Sequence, residues 1–329
     1  MNALRLILVV ELLGGFGDVL LALPAVHALA RSHPDARLDV LTFTPGDALL
    51  RTDPLVATVF GTDDHSDGAP RRAVAERLAA VDYDLVVTTT GYDGIGPLCA
   101  AAAPHAVTNL WRSPPVDERV DRRFLRLLVA DGWVDPAHVD QPLRLHLTDA
   151  ERAAGRAVLG DLLGPAGAAP LLLVPGSGMR VKEWPAARWA ALAAHGLDGG
   201  RPVLSVGAAG SPTVPGARPL PPTDLRGLAA VLAAAGEQKG VVVGGDTGPV
   251  RLASAVGTRT VVLFGPTVAG RYGADPATSI GLQGLPGCEV RRPLAITEQE
   301  CWWSARCPLT DGDPACMADL GLPAVLAAL

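Results

Sequence analysis

Asp18 ends the run Gly14-Gly15-Phe16-Gly17-Asp18, which comes soon after the apolar stretch Leu4–Val10. A carboxylate at a strand-to-helix turn has two uses. It stabilises the positive end of the helix dipole, worth roughly 0.3–1 kcal/mol, or it acts as a general base that takes a proton from an attacking hydroxyl. Gly15 and Gly17 leave the backbone of the turn open to close approach by a ligand. The run is a poor dinucleotide fingerprint. Leu20 stands where G-x-G-x-x-G needs its third glycine, and no acid ends the second apolar stretch to hold a ribose.

Two further stretches offer phosphate chemistry. Pro175-Gly176-Ser177-Gly178 ends an apolar run, Lys182 follows, and Pro185 suits the first turn of the next helix. The Ser177 hydroxyl and the bare backbone at Gly176 and Gly178 can cradle phosphate oxygens. Lys182, one of only 2 lysines in the chain, can neutralise their charge. Gly244-Gly245-Asp246-Thr247-Gly248-Pro249 then opens another helix, whose free amides favour an anion. Asp246 or Thr247 serves equally well as an ordinary cap for that helix. With Phe264-Gly265-Pro266-Thr267, three separate strand-to-loop junctions carry glycine and hydroxyl residues, which suits a diphosphate.

The elements that must hold these loops follow from the pattern of apolar runs. Strands are expected at 5–12, 37–43, 56–60, 84–89 and 105–110, with helices at 17–31, 70–80 and 118–130. After a linker rich in Pro and Asp at 131–142, strands at 169–176, 201–207, 240–245 and 259–265 alternate with helices at 185–196, 224–235 and 247–255. Residues 215–223 read as a rigid loop, and 266–329 as irregular until a short helix from Leu322. Strand alternating with crossover helix predicts an α/β chain of two Rossmann-like doubly wound domains, 1–145 and 146–329, facing a cleft, with ligands at the carboxyl ends of the strands. The tail is expected to pack back on the first domain.

Composition excludes several partners. Residues 1–150 carry 13 Arg, no Lys and 20 acidic side chains, net −7, while 151–329 come to +1. An acidic first half argues against nucleic acid or an anionic membrane surface. No apolar run reaches the length needed to cross a bilayer, and the N-terminus lacks a signal-peptide pattern, so a soluble cytoplasmic protein is expected. The late cysteines Cys301, Cys307 and Cys316 follow C-x5-C-x8-C, without the paired C-x2-C of a structural zinc site. Asp82-Tyr83-Asp84, Asp311-Gly312-Asp313 and the acidic run 63–67 read as structural or solvated rather than as metal ligands.

The blocks GDVLLALPAVHAL (17–29), PGSGMRVKEWP (175–185), DTGPVRLASAVGT (246–258) and LFGPT (263–267), in that order, with the tail CPLTDGDPACMADL (307–320), resemble glycosyltransferase family 9, the ADP-heptose heptosyltransferases. The resemblance implies the glycosyltransferase B fold and an inverting, metal-independent transfer without a cofactor. It places the acceptor on the N-terminal half and an ADP-sugar, ADP-heptose by family habit, on the C-terminal half. It assigns the base to Asp18, with Gly15 and Gly17 in the acceptor-side loop. Donor contacts fall on Ser177, Gly178, Lys182, Asp246, Thr247 and Gly248. The chain departs from the family at Arg251, where a histidine is usual, and in GAAGSPTVPGARP (207–219), which has no acid to hold the ribose. An arginine can grip phosphate but cannot share a histidine's proton chemistry.

The family's lipopolysaccharide acceptors carry carboxylates and phosphates, which call for a basic acceptor face. In the first half, Arg119, Arg122, Arg123 and Arg126 are interleaved with Asp117, Glu118 and Asp121. The expected acceptor is therefore a soluble neutral or cationic natural-product intermediate, such as an amino-sugar, aminocyclitol or nucleoside. The alternatives are a lipopolysaccharide core heptosyltransferase and a non-catalytic sugar-nucleotide-binding protein.

Overall fold

The computed structural model describes residues 4–112, 115, 117–140, 144–164, 169–207 and 210–329. The chain divides into two compact units, Met1–His146 and Leu147–Leu329.

The first unit runs β1 (Leu6–Glu11), α1 (Phe16–Ser32), β2 (Arg37–Phe43), α2 (Asp47–Leu50), β3 (Thr58–Thr62), α3 (Ala69–Ala80), β4 (Leu85–Thr88), α4 (Ile95–Ala102), β5 (His105–Val107) and α5 (Val120–Ala130). The strands pair in parallel in the order β3-β2-β1-β4-β5. The middle strands β1 and β4 are apolar along most of their length because helices cover both faces of a parallel sheet. Leu8, Val10, Leu41, Phe43, Val74 and Ile95 pack together on one of those faces.

The second unit continues with α6 (Asp149–Leu163), β6 (Leu171–Val174), α7 (Ala186–Asp198), β7 (Val203–Ser205), β8 (Arg218–Pro219), α8 (Leu225–Glu237), β9 (Val241–Gly245), α9 (Gly248–Ala255), β10 (Arg259–Phe264), α10 (Ala269–Tyr272), β11 (Ser279–Gln283), α11 (Glu300–Ser304), α12 (Ala315–Asp319) and α13 (Leu322–Ala327). Its parallel sheet has the order β11-β10-β9-β6-β7-β8. Where the sequence reading sends the tail to the first domain, its apolar residues join the core of the second unit. Met317, Leu320 and Val325 pack with Leu171, Trp184 and Val261. Trp184 Nε1 also donates to the Leu320 carbonyl at 2.8 Å.

Several expectations need correction. Residues 266–329 are not irregular throughout, since β11 extends the sheet and α10, α11 and α12 interrupt the loops. The 215–223 loop contains the edge strand β8. Helices α4 and α6 occupy stretches to which the periodicity assigns none. The 131–142 linker includes a 3-10 turn at Pro136–His138, whose start is held by Asp135 Oδ1 accepting from Ala137 N at 2.8 Å. Gln141 and Pro142 of that linker, and Ala208 and Ala209 of the 207–219 loop, lie outside the described residues. Among the described residues no helix is long and apolar enough to cross a membrane.

α6 owes its position to its first turn and to one glycine. Thr148 and Glu151 form a reciprocal capping box, and Arg226 of α8 grips both Glu151 oxygens at 2.6 Å. That fork, against the opposing effect of burial, holds the Glu151 carboxyl down at about 2. At Gly155 the helix meets the Ala230 backbone of α8, and a Cβ would collide with the Ala230 carbonyl. Gly155→Ala should therefore cost about 1–3 kcal/mol by forcing the two helices apart. A fall in urea midpoint without a change in slope would register it, and an unchanged midpoint would refute it.

Candidate active site

Both sheets reverse their strand order at the centre. From β1 the chain builds outward through β2 and β3, then returns to β4 on the other side. In the second unit it builds from β6 through β7 and β8, then returns to β9. The loops that leave β1 and β4 are thus neighbours at one carboxyl edge, and those that leave β6 and β9 at another. Such reversal points are where open α/β sheets bind ligands.

In the first unit, Gly15 is the extended N-cap of α1, and Asp18 lies in the first turn with its amide donating to the Gly15 carbonyl at 2.9 Å. The Asp18 side chain folds back over the turn, so that a Cβ on Gly14 would sit 3.3 Å from its Oδ2, while Gly15 faces open space. Gly17 is in the same first turn. The preceding residue is held from the loop that follows β4. Leu12 N donates to Thr90 Oγ1 at 2.9 Å, and the Tyr92 hydroxyl donates to the Leu12 carbonyl.

Sequence reasoning missed Glu11, the last residue of β1, which is 2 % exposed. Its Oε1 accepts from Leu13 N at 3.0 Å and its Oε2 from Thr42 Oγ1 at 3.3 Å. Burial, and then the negative charge of Asp18, push its carboxyl up to about 8. An acid closing an otherwise apolar strand beside a glycine turn is a signal visible in the sequence.

In the second unit, Val174 of β6 lies opposite Gly244 of β9. A Cβ on Gly245 would come within 2.9 Å of the Lys182 carbonyl, so the two loops touch backbone to backbone. This contact brings Lys182, Asp246, Thr247 and Arg251 together. Lys182 Nζ donates to the Asp246 carbonyl at 3.2 Å, lies 3.8 Å from Asp246 Oδ2, and sits 4.9 Å from the centre of the Trp302 ring. Arg251 Nη2 donates to Asp246 Oδ1 at 2.6 Å and to the Tyr272 carbonyl at 3.0 Å. One buried carboxylate therefore holds both cations. Ser177 and Gly178 are on the adjoining loop. The Ser177 hydroxyl accepts from Met179 N at 3.1 Å, its amide donates to Glu183 Oε1 at 3.2 Å, and Gly178 faces open space.

The ordinary capping role is not realised at α9. Thr247 is the N-cap residue but makes no side-chain cap, and Asp246 turns to Lys182 and Arg251 instead. Thr247 Oγ1 is buried with no hydrogen-bond partner among the described residues. A buried hydroxyl without a partner costs about 1–3 kcal/mol, so it marks a place where a ligand atom would be welcome. It borders a recess whose walls include Asp246, Arg251, Phe264 and Tyr272. Trp302 and Tyr272 belong to this neighbourhood without any advance signal, because they reach it only through tertiary packing, whereas Glu183 arrives with the Lys182 loop itself.

The arginines of the 117–126 stretch are paired. Arg126 forks onto Glu118 at 2.6 and 2.7 Å, Arg123 lies 3.6 Å from the same carboxylate, Arg119 binds Asp121 at 2.5 Å, and Arg122 lies 3.4 Å from Asp140. Asp84 is a strand-start acid that accepts from Arg5 N and Leu6 N at 2.8 and 2.9 Å. Among the described residues no three His, Cys, Asp or Glu side chains are grouped to hold a metal ion.

Residues 122–282 match the profile of glycosyltransferase family 9 (heptosyltransferase). Over 295 residues the chain is 30% identical to lipopolysaccharide heptosyltransferase 1 of Pseudomonas aeruginosa, spanning 81% of this chain and 80% of that protein. In fold it is similar to the glycosyl transferase family 9 protein of Veillonella parvula, with a TM-score of 0.76 at 18% identity over 98% of this chain and 96% of that one. It is also similar to the E. coli heptosyltransferase WaaC with ADP, with a TM-score of 0.65 at 19% identity over 98% of each chain. The fold is the α/β glycosyltransferase B type, and on the strength of the Pseudomonas relative the chain belongs to glycosyltransferase family 9 and is a glycosyltransferase.

Proposed function

We propose that the protein transfers a heptosyl or related residue from an ADP-sugar to the hydroxyl of a soluble neutral or cationic acceptor, such as an amino-sugar, aminocyclitol or nucleoside intermediate. Asp18 takes the hydroxyl proton as the acceptor oxygen bonds to the anomeric carbon. The bond from that carbon to the diphosphate oxygen breaks on the opposite face, inverting the configuration, and ADP leaves. The growing charge on the diphosphate is met by Lys182, Arg251, the Ser177 and Thr247 hydroxyls and the amides at Gly178 and Gly248. In this reading Asp246 keeps the two cations in place, and no divalent ion is needed.

The observation that supports the donor assignment is the unpartnered Thr247 hydroxyl beside Lys182 at the β6–β9 reversal point. The acceptor preference rests on the arginines of 119–126, each already engaged by a carboxylate. The identity to a lipopolysaccharide heptosyltransferase supports a second reading, transfer to a phosphorylated lipid-linked core.

A thermal-shift comparison of ADP, UDP and GDP tests the donor, with ADP expected to stabilise most. Lys182→Ala should weaken ADP by about 10-fold or more, as loss of a charged hydrogen bond implies. ADP-heptose offered with amino-sugars, aminocyclitols and nucleosides, and separately with phosphorylated core, tests the acceptor. Product on the first set, undiminished by a chelator, is the expected result. Tight, salt-resistant transfer to the core alone would overturn it.

A further inference from the structure

We propose that Trp302 is a positioning residue for the sugar-nucleotide donor. Its indole face shields the Lys182 ammonium from water and holds it short of a full ion pair with Asp246, so that the charge stays available to the diphosphate. The proposal rests on the reading of Lys182 as a donor contact and adds a residue that neither the motifs nor the relatives single out.

Lys182 Nζ lies over the Trp302 ring at 4.9 Å from its centre, inside the distance of about 6 Å at which an ammonium is drawn to an indole face. The Lys182 side chain is only 15% exposed, so the ring stands where water would otherwise be. The same ammonium donates to the Asp246 carbonyl at 3.2 Å but stays 3.8 Å from Oδ2, while Arg251 takes Oδ1 at 2.6 Å. The carbonyl uses one of the three ammonium N–H groups, and the ring attracts the charge without accepting a conventional hydrogen bond. Trp302 does not owe its place to Lys182. Cys301 beside it is buried, its own amide donates to the Gln299 carbonyl at 3.0 Å, and Gln299 is buried with its Oε1 accepting from Arg292 N at 2.6 Å. Trp303, the next residue of α11, is a surface side chain, 74% exposed, with its indole N–H on the Thr297 carbonyl at 2.9 Å.

An aromatic face replaces part of the water that a half-buried ammonium has lost, yet it carries no net charge and does not cancel the cation as a carboxylate does. Without the ring, Lys182 would either hydrate, and have to shed that water when a diphosphate arrives, or close on Asp246. Both outcomes weaken its pull on an anion. Trp302 therefore acts on donor binding through Lys182, and its effect should vanish when Lys182 is absent.

The test is a calorimetric titration of ADP into the wild type, Trp302→Leu, Lys182→Ala and the double variant. Trp302→Leu should weaken ADP by about threefold to tenfold, the range expected for one cation–π contact. The double variant should bind within about twofold of Lys182→Ala, because the ring then has no cation to hold. Unchanged affinity in Trp302→Leu, or two losses that multiply in the double variant, would overturn the proposal. Trp302→Phe keeps an aromatic face and should recover most of the loss, whereas recovery no better than with Leu would point to bulk alone and also overturn it. Trp303→Leu on the same helix should leave ADP affinity unchanged, and an equal loss there would reduce the effect to a general disturbance of α11. A second measurement tests the contact itself. In protein labelled with 5-fluorotryptophan, Lys182→Ala should shift the fluorine resonance of Trp302, assigned by its absence from Trp302→Phe, and leave those of Trp111 and Trp133 in place. An unmoved Trp302 resonance would overturn the proposal. Failure of the donor reading looks different: Lys182→Ala would then keep full affinity for ADP and take this inference with it.

Discussion

Asp18→Asn should lower kcat by about 10²–10⁴-fold and leave the affinity for ADP within about twofold of the wild type. Asparagine matches aspartate in shape, keeps the turn and still accepts hydrogen bonds, yet it cannot take the proton that the attacking hydroxyl must lose. The alternative use of Asp18, stabilising the dipole of α1, is worth only about 0.3–1 kcal/mol. That appears as a small drop in melting temperature, not as a loss of turnover. The groups assigned to ADP, Lys182, Thr247 and Arg251, all sit in the second unit, Leu147–Leu329, so nucleotide binding should survive. Single-turnover assays with ADP titrations separate the two effects. If kcat stays within about threefold, Asp18 is a helix-dipole residue and the base must be sought elsewhere.

Glu11→Gln should make the protein more stable in alkali. Folding raises the Glu11 carboxyl from its usual value of 4.5 to about 8, chiefly through burial. A group raised in this way contributes its full share of stability while both states are protonated, below pH 4.5, and loses that share as pH climbs to the folded value of about 8. A difference of that size corresponds to about 5 kcal/mol at full linkage. Glutamine never ionises and escapes the loss, although its amide must be accommodated where a carboxyl stood. The expected net gain is therefore about 2–4 kcal/mol at about pH 9, shrinking to about 1 kcal/mol or less at about pH 5. Urea melts of both proteins at the two pH values provide the check. The same difference at both would show that Glu11 is ionised throughout.

How much of the molecule could be read in advance varies by element. β1, β2, β9 and β10 announce themselves because the inner strands of a parallel sheet must be apolar almost throughout. α6 is hidden because it packs on α8 through Gly155 and Ala230 rather than through large apolar side chains, so its sequence DAERAAGRAVLGDLL lacks the period that marks a helix. α4 carries Gly96 and Pro97, both poor helix residues, and takes its place from packing of Ile95 and Cys99. β11, a half-exposed edge strand with Gly281 at its centre, has neither an apolar run nor alternation.

The candidate site divides in the same way. Loops that begin with glycine at strand ends were legible, because glycine and hydroxyl residues there have few other reasons to cluster. The partners of Arg251 were not. Its contact with the Tyr272 carbonyl depends on where α10 lands, and the packing of Trp302 on Lys182 joins residues 120 positions apart in sequence. Charge balance was legible as a sum and not as a map. The interleaved signs at 117–126 become ion pairs only once α5 sets their spacing.

The grip of Asp246 on Lys182 and Arg251 bears on how tightly an anion can bind there. Long cationic side chains left waving in water forfeit their rotamer freedom when a ligand arrives, at about 0.5–1.5 kcal/mol for each. Here that freedom is surrendered when the chain folds, because the carboxylate and carbonyl of Asp246 act as an internal counterion that fixes both heads without a guest. On the proposed donor assignment, a diphosphate entering this recess would find its donors already oriented. The same carboxylate tempers the field it meets, so selectivity rests on geometry more than on net positive charge.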